Sequence, residues 1–512
     1  MKITSTILDQ YGRPLTYQRR QQTVRAPLAS YDAADENESI SRHFADADGL
    51  SARAANSPEV RRRLRNRARQ EFDNGGNCKG TIETIAHDTI GTGPRLQILD
   101  AEAPEGFSKW FEGEYRAWAD DPAIDYTDTL RLAVETELRD GEIFGIFTNN
   151  PVCEHPVKVH VKLVEAEQCT SPGWGDIWPI EPTKNDGITT DNLGNPVSYD
   201  FLTAHPGDTH WSGNKITTIS ANGVLHWFRK SRAGQVRGVP RITAGLTLIA
   251  GIRSYSRSVL GAARIAAMMA GVMKTNMSPE EGPVTVDAYD TIPLQQDSLT
   301  ALPAGWDVGQ MKAEQPTTSY ENYRNANLTE FGRGIHAPRN IVTGDSSPYN
   351  YSSARLDHII YRAAIRSERN RLAVRFLDRV LKHWLREAMT IPGYMPEEYR
   401  AYLAANLNAL MWRWQYDGFE SIDPVKDATA TQIELETGMT TYADALAEKG
   451  KDWLDHFTQV EREYKEAERR GIAHLLYPNK GGMTTAARPR QQTEIDTVLE
   501  DDPAQWGGFA RA

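Results

Sequence analysis

From Ser57 onward the apolar positions fall at helical spacing, except in one block where they alternate like strands. Ser57-Pro58-Glu59 has the form of a helix start, with a capping hydroxyl, a first-turn proline and an acid at the positive end of the dipole. Val60, Leu64, Ala68 and Phe72 then predict its apolar stripe. Cys78 to Ile90 reads as a second amphipathic helix, closed by the turn GTGP at Gly91–Pro94. Trp110, Phe111, Tyr115 and Trp118 mark an aromatic helix, and Thr127 or Asp128 is placed to cap another over Thr129–Arg139. From Ile143 the period changes to two: EIFGIFT, VKVHVKLVEAEQC, PVSYDFLT and GVLHWFRK predict a β module over about 143–230, with Asp191–Asn195 as a hairpin turn.

Helical spacing returns over 239–275, where Gly245, Gly251, Gly261 and Gly271 interrupt an alanine-rich run. Each interior glycine costs about 1 kcal/mol relative to alanine, so the pattern predicts close approach of neighbouring helices. Residues 277–316 are rich in Pro and Gly, and a helix follows over 319–335. The longest helix is expected from Ser352 or Ser353 to about Met389. Leu356, Ile360, Ala363, Val374, Leu377, Leu381, Trp384 and Ala388 form its stripe. Just before it, Thr343–Tyr351 is a turn-forming polar tip. Trp412, Trp414 and Tyr416 read as an aromatic hinge. Three more helices are expected, from Asp423-Pro424 to about Thr437, over Thr441–Lys449 and over Trp453–Arg470.

Charge changes this picture at two helices. The first carries Arg61, Arg62, Arg63, Arg65, Arg67 and Arg69, and the longest carries Arg355, Arg362, Arg366, Arg369, Arg371, Arg375 and Arg379. The plain expectation for both is a solvated face; the functional one is contact with phosphate or with an acidic neighbour. The net charge of −11 excludes a simple cationic nucleic-acid binder. Three cysteines in 512 residues argue for synthesis in a reducing compartment. No uncharged run approaches the length of a membrane span.

Chemistry adds little. Cys153, His155, His160 and Cys169 have no common zinc spacing and fall on different strand faces. The chain contains no GxSxG, HExxH or Walker A sequence. Asp120-Asp121 and Asp501-Asp502 read as exposed loop acids, and His336 as a structural histidine. No catalytic residue, metal site or cofactor site is expected, and the protein is read as no enzyme. A nucleic-acid-processing enzyme with an unrecognised metal-dependent site is the alternative.

Nine segments in order carry a resemblance. Among them are NSPEVRRRLRN with NCKGTIETIAHDTIGTGPRLQ (56–97), GEIFGIF (141–147), HWFRKSRAGQVRGVP (226–240) and ALPAGWDV (301–308). The most specific also include PRNIVTGDSSPYNYSSAR (338–355) and the run from Gly418 to Trp453. Together they resemble the portal, or head–tail connector, proteins of tailed bacteriophages, in the lambda-type branch. The resemblance implies a mixed α+β, predominantly helical portal fold, with crown, wing, stem and clip, assembled as a ring of about twelve copies. Mapped onto this sequence, it implies an N-terminal arm over 1–50, a wing over 51–238 and a first stem helix over 239–276. A clip over 277–317, a second stem helix over 318–337 and a tunnel-loop region over 338–352 follow. The long helix and return to the wing take 353–420, the crown 421–476 and a disordered acidic tail 477–512.

Thr343, Gly344, Asp345, Ser346, Ser347, Pro348, Tyr349, Asn350 and Tyr351 would then face double-stranded DNA without sequence preference, and Arg61, Arg62, Arg65, Arg355 and Arg362 are the candidate basic contacts. Implied partners are further copies of the chain, the terminase motor, head-completion and tail connector proteins, and major capsid and scaffold proteins. No membrane partner is implied. The implied location is the portal vertex of the virion, after synthesis in the host cytoplasm.

Overall fold

The computed structural model describes residues 47–476, apart from 101, 172–182, 209–214, 269–271, 276–305, 310–318 and 420–422, together with Arg42 and Ala45. Almost all of the expected N-terminal arm, most of the clip and the acidic tail lie outside the described residues.

Helix α1, Pro58–Asn74, starts as its sequence demands, with the Ser57 hydroxyl accepting the Val60 N–H at 3.4 Å. Its buried face differs from the expected stripe. Ala68 and Phe72 are buried, but Val60 is exposed, and Arg61, Arg65 and Glu71 take the remaining inward positions. Helix α2, Gly76–Ile90, ends at Gly91, whose φ of 62° lets its N–H reach the His87 carbonyl at 2.7 Å. Strand β1, Arg95–Ile98, leads to helix α3, Phe107–Ala119, which buries Phe107, Phe111, Tyr115 and Trp118 in one helical row. Helix α4 runs Tyr126–Asp140. Its cap is Asp125 in the left-handed region, not Thr127 or Asp128, so the helix starts three residues earlier than expected.

The β module splits into two sheets. Strand β2, Glu142–Asn149, is the middle of an antiparallel trio with β3, Val159–Val164, and β8, Val224–Phe228. The second sheet runs in order through β4, Lys184–Asn185, β5, Ile188–Thr190, β6, Pro196–Leu202, and β7, Ile216–Ser220. Phe144, Val164, Cys169, Ile188, Tyr199, Phe201 and Val224 form a small core between the sheets. A much larger core gathers α1–α4, the inner face of β2 and β3 and the later helices.

Helix α5, Leu246–Met268, follows a tight turn over Arg241–Gly245. It is shorter than the expected 239–276. Val272–Thr275 is instead strand β9, paired antiparallel with β10, Trp306–Gly309. The β-branched Val272 and Thr275 favour the extended form once a partner strand is available. The expected close approach occurs at Gly245, where a Cβ would meet Phe331 Cδ2 at 2.5 Å; around Gly251 and Gly261 the single chain leaves open space. Phe331 belongs to α6, Ser319–Gly334, the helix expected over 319–335.

A short helix α7, Arg339–Thr343, precedes α8, Tyr351–Leu372. A wide π turn over Ala373–Leu377 joins α8 to α9, Asp378–Thr390, so the rod continues as expected. Its cap is Asn350. The Asn350 side chain accepts the Ser353 N–H at 2.9 Å while the Ser353 hydroxyl accepts the Asn350 N–H at 3.3 Å. In the second half Leu377, Leu381, Trp384 and Ala388 are buried as expected. In the first half the buried residues are Tyr361, Ile365 and Leu372. There Leu356, Ile359 and Ile360 stay 60%, 55% and 53% exposed.

Helix α10, Glu397–Asn406, leads into β11, Trp412–Gln415. The expected aromatic hinge is therefore largely a strand, paired with β1 from Ile98↔Trp412 to Arg95↔Gln415. Its Trp412 and Trp414 indoles both donate to Asp378 Oδ1 at 2.8 Å. Helices α11, Pro424–Glu436, α12, Tyr442–Glu448, and α13, Trp453–Arg469, close the described chain apart from one last helical turn. Helices α11 and α12 bury no residue. No helix among the described residues is long and apolar enough to cross a membrane.

Candidate nucleic-acid interface

The polar tip sits where α6, α7 and α8 meet. Beyond α6 the chain reverses through Ile335 and His336, the latter at a φ of 63°, and the Ala337 N–H returns to the Gly332 carbonyl at 2.9 Å. Only glycine fits at position 332, because a Cβ would meet the Ala337 carbonyl and Val342 Cγ2, each at 2.6 Å. Helix α7 is anchored to α2 by Asn77 Nδ2 donating to the Val342 carbonyl at 2.8 Å.

The tip itself is folded by local bonds. Gly344, with a φ of 68°, caps α7 through its N–H to the Asn340 carbonyl at 2.9 Å. The Asp345 N–H donates to Thr343 Oγ1 at 3.2 Å, the Ser347 N–H to Asp345 Oδ1 at 2.9 Å, and the Tyr349 N–H to the Ser346 carbonyl at 3.1 Å. The Ser347 N–H and hydroxyl hold the Asp345 carboxyl below its ordinary pKa. Gly344 to Pro348 are exposed and Tyr349 is half-buried. Burial above all, and then Asp357, push the Tyr349 hydroxyl above its ordinary pKa, with the backbone of Asn340 and Arg339 opposing them. Such a loop presents hydroxyls, backbone groups and one carboxylate to whatever lies beyond it. These groups position a polymer but carry no base code.

The candidate arginines part company. Arg61 is buried, paired with Asp186 and donating to the Asn56 carbonyl. Arg65 is buried against Glu167 at 3.0 Å and Glu142 at 3.6 Å, and its neighbour Arg69 grips Asp140 at 2.7 Å. The face expected to be solvated is thus an internal ion network, and these guanidinium groups are directed at carboxylates of their own chain. Arg62 stays at the surface with Glu59 at 3.2 Å. Arg355 is exposed, 3.6 Å from Asp427, and Arg362 lies 5.2 Å above the Phe419 ring. The structure brings only Arg355 and Arg362 onto the helix that carries the loop.

Sequence reasoning missed the centre of that network. Glu142 is fully buried and accepts from Arg237 Nε at 2.9 Å, from the Gly238 N–H at 2.8 Å and from His226 Nε2 at 3.0 Å. Burial alone raises a carboxyl pKa, but Arg237 and His226 outweigh it and hold Glu142 well below the carboxylate range. Burial holds His226 below its ordinary value despite the carboxylate beside it. The available signal was a Glu sharing strand parity with the inward Phe144.

The cysteines and histidines of the metal reading are not brought together. Cys153 Sγ lies 3.2 Å from Asp121, His155 lies 3.3 Å from Glu114, and Cys169 packs in the small core near the Gly187 carbonyl. Asp121, expected to be exposed, is buried. N–H groups of Ala123, His155 and Glu154, with the Cys153 thiol, pull its carboxyl down to about 2. Glu165, Glu167 and His205 do gather. The Gly207 N–H occupies His205 Nδ1 at 3.0 Å, His205 Nε2 lies 3.1 Å from Glu165 without forming a hydrogen bond, and Glu167 is held by Arg65 and Arg69. Each acid of that trio lies within ion-pair distance of an arginine, Glu165 of Arg69 and Glu167 of Arg65.

Residues 41–369 match the family model for the phage portal protein, lambda family. The chain belongs to that family. Among other portal proteins, it is 23% identical over 465 residues to a probable portal protein of Halomonas phage phiHAP-1, covering 87% of each chain. It is 21% identical to portal protein B of Escherichia phage lambda, over 77% of this chain and 80% of that one. A neck structure of a native gene transfer agent particle, computed with C12 symmetry, superposes on 76% of this portal chain and 94% of its own at 13% identity, with a TM-score of 0.46. Family membership rests on the family match.

Proposed function

We propose that this chain assembles into a ring of about twelve copies at one capsid vertex and forms the channel for packaging and ejecting double-stranded DNA. The observation that carries the reading is the lambda-family portal match over residues 41–369. Two features of the fold support self-assembly. Leu356, Ile359 and Ile360 form an uncovered i, i+3, i+4 patch on α8, and helices α11 and α12 bury nothing within one chain. In a closed ring each copy offers one face to its neighbour and receives another. Thr343–Tyr351 faces the duplex. The net charge of −11 per copy keeps phosphate from adhering along the passage. The segment 277–317 receives terminase and later the head-completion proteins, capsid and scaffold proteins surround the ring, and the mature location is the virion. The role is structural, with the ATPase on another protein.

Light scattering with electron microscopy tests assembly. The expected result is closed rings near twelve times 57.3 kDa; a strict monomer at high concentration overturns the reading. Deleting Ser346–Asn350 is expected to leave rings intact and to impair DNA packaging or retention. Failure of that variant to fold would make the segment a structural connector instead.

A further inference from the structure

A cleft of about 420 Å³ lies beneath the loop, with Arg333 and His336 on one wall, Pro348 and Tyr349 on the other and Arg339 and Asp357 between. Most arginines that line internal surfaces of this chain meet a carboxylate: Arg61, Arg65, Arg69, Arg237, Arg241, Arg253 and Arg371 all do. Arg333, exposed at the rim of the cleft, and the half-buried Arg339 have no carboxylate within ion-pair distance among the described residues. Arg339 Nε is moreover a buried donor with no acceptor, an arrangement that folded proteins avoid unless something fills it. The acids that face the cleft do not answer it. Among the described residues Asp357 is at no ion-pair distance from either arginine, and the Asp345 carboxylate accepts the Ser347 N–H at 2.9 Å. Burial and then Arg229, Arg241 and Arg333, opposed by Glu368, hold His336 below its ordinary pKa.

We infer that this cleft is a seat for one anionic phosphoryl group, held between Arg333 and Arg339. Guanidinium forks suit that geometry better than any other side chain. The inference deepens the portal reading and rests on it for the identity of the occupant, a phosphate of the DNA backbone. Free phosphate shares the chemistry. A phosphate bound there touches α6 and the loop together, so it tells the helix behind the loop that a strand is present.

The test uses the full-length assembled protein and three variants: Arg333→Gln with Arg339→Gln, Arg333→Lys with Arg339→Lys, and the Ser346–Asn350 deletion. Binding of a short blunt DNA duplex is followed by anisotropy between about 50 and 200 mM salt, where each lost phosphate contact lowers the log–log slope by about 0.9. Thermal melting with and without inorganic phosphate gives a second readout. The glutamine pair is expected to bind DNA about tenfold more weakly at low salt, as loss of a charged hydrogen-bonded contact predicts. The lysine pair is expected to fall between it and the wild type, which keeps the test open should the glutamine pair fold poorly. If phosphate stabilises the wild type but not the glutamine pair, and DNA binding is unchanged, the seat stands with free phosphate as its occupant. If neither ligand distinguishes any arginine variant, the seat is overturned. In that event a weakened loop deletion preserves the channel reading, and an unaffected one removes both.

Discussion

Helices α1 and α8 look alike as strings of arginine and differ in the partners that folding brings to them. On α1, Arg61, Arg65 and Arg69 turn inward to Asp186, Glu142, Glu167 and Asp140, all delivered by the β module and the helix before it. On α8, Arg369 reaches the carbonyls of Asp88, Thr89 and Asp417 at 2.7, 3.1 and 2.9 Å, while Arg355 stays in solvent near Asp427. The same side chain is thus a buried ion partner, a helix-end cap or a surface charge according to which acceptor lies within reach. Counting arginines cannot separate these roles; α1 places three of them where removal of a partner strands a charge in a low dielectric, and α8 does so at Arg371 beside Glu137.

The largest effect is expected at the hub of the first region. Glu142→Gln leaves Arg237 buried beside a neutral group and should cost about 3–5 kcal/mol in urea unfolding. A loss below about 1 kcal/mol would mean that the network is no more than a surface pair in energetic terms. The same hub sets the acid limb. Unfolded Glu and His titrate near about 4.3 and 6.5, and Glu142 and His226 are both held below those values. The unfolded chain therefore takes up more protons, and stability should fall as pH drops below about 6.5, then more steeply below about 4.3. Unfolding midpoints measured from neutral to acid pH check this, and the steep limb should shrink in Glu142→Gln.

On α8 the effects should be smaller. Arg369→Ala removes two charge-assisted bonds at the end of α2 and a third to the Asp417 carbonyl, and is expected to cost about 2 kcal/mol in the same assay. Arg355→Ala should change stability by less than about 0.5 kcal/mol. A large loss there would show that the exposed half of α8 contributes to the fold of the single chain.

The legibility of the sequence follows the range of the interaction. The aromatic helix α3 was readable because Phe111, Tyr115 and Trp118 repeat within one element, and the hairpin at Asp191–Asn195 because its bonds are local. Strand β11 was not, since its partner β1 lies more than three hundred residues earlier. The stripe on α8 misled for a different reason: Leu356 and Ile360 have core-like spacing, yet nothing in their own chain covers them. The loop could be placed from composition, but its anchoring through Asn77 and the Val342 carbonyl could not, and neither could the placing of Arg333 and Arg339 in one cleft, on successive helices across a reversal at His336.

The π turn over Ala373–Leu377 has a consequence for how the long rod is phased. One surplus residue rotates everything upstream of it by about 100° relative to everything downstream. The two halves thus answer to separate frames, Trp384 and its row to the large hydrophobic core, and the exposed Leu356, Ile359 and Ile360 near the loop to whatever lies outside the chain. Deleting the exposed Val374 should close the wide turn into ordinary helix, so that either the row of Tyr361, Ile365 and Leu372 or that of Trp384 leaves its buried contacts. The rod would remain, with its tip aimed in a different direction.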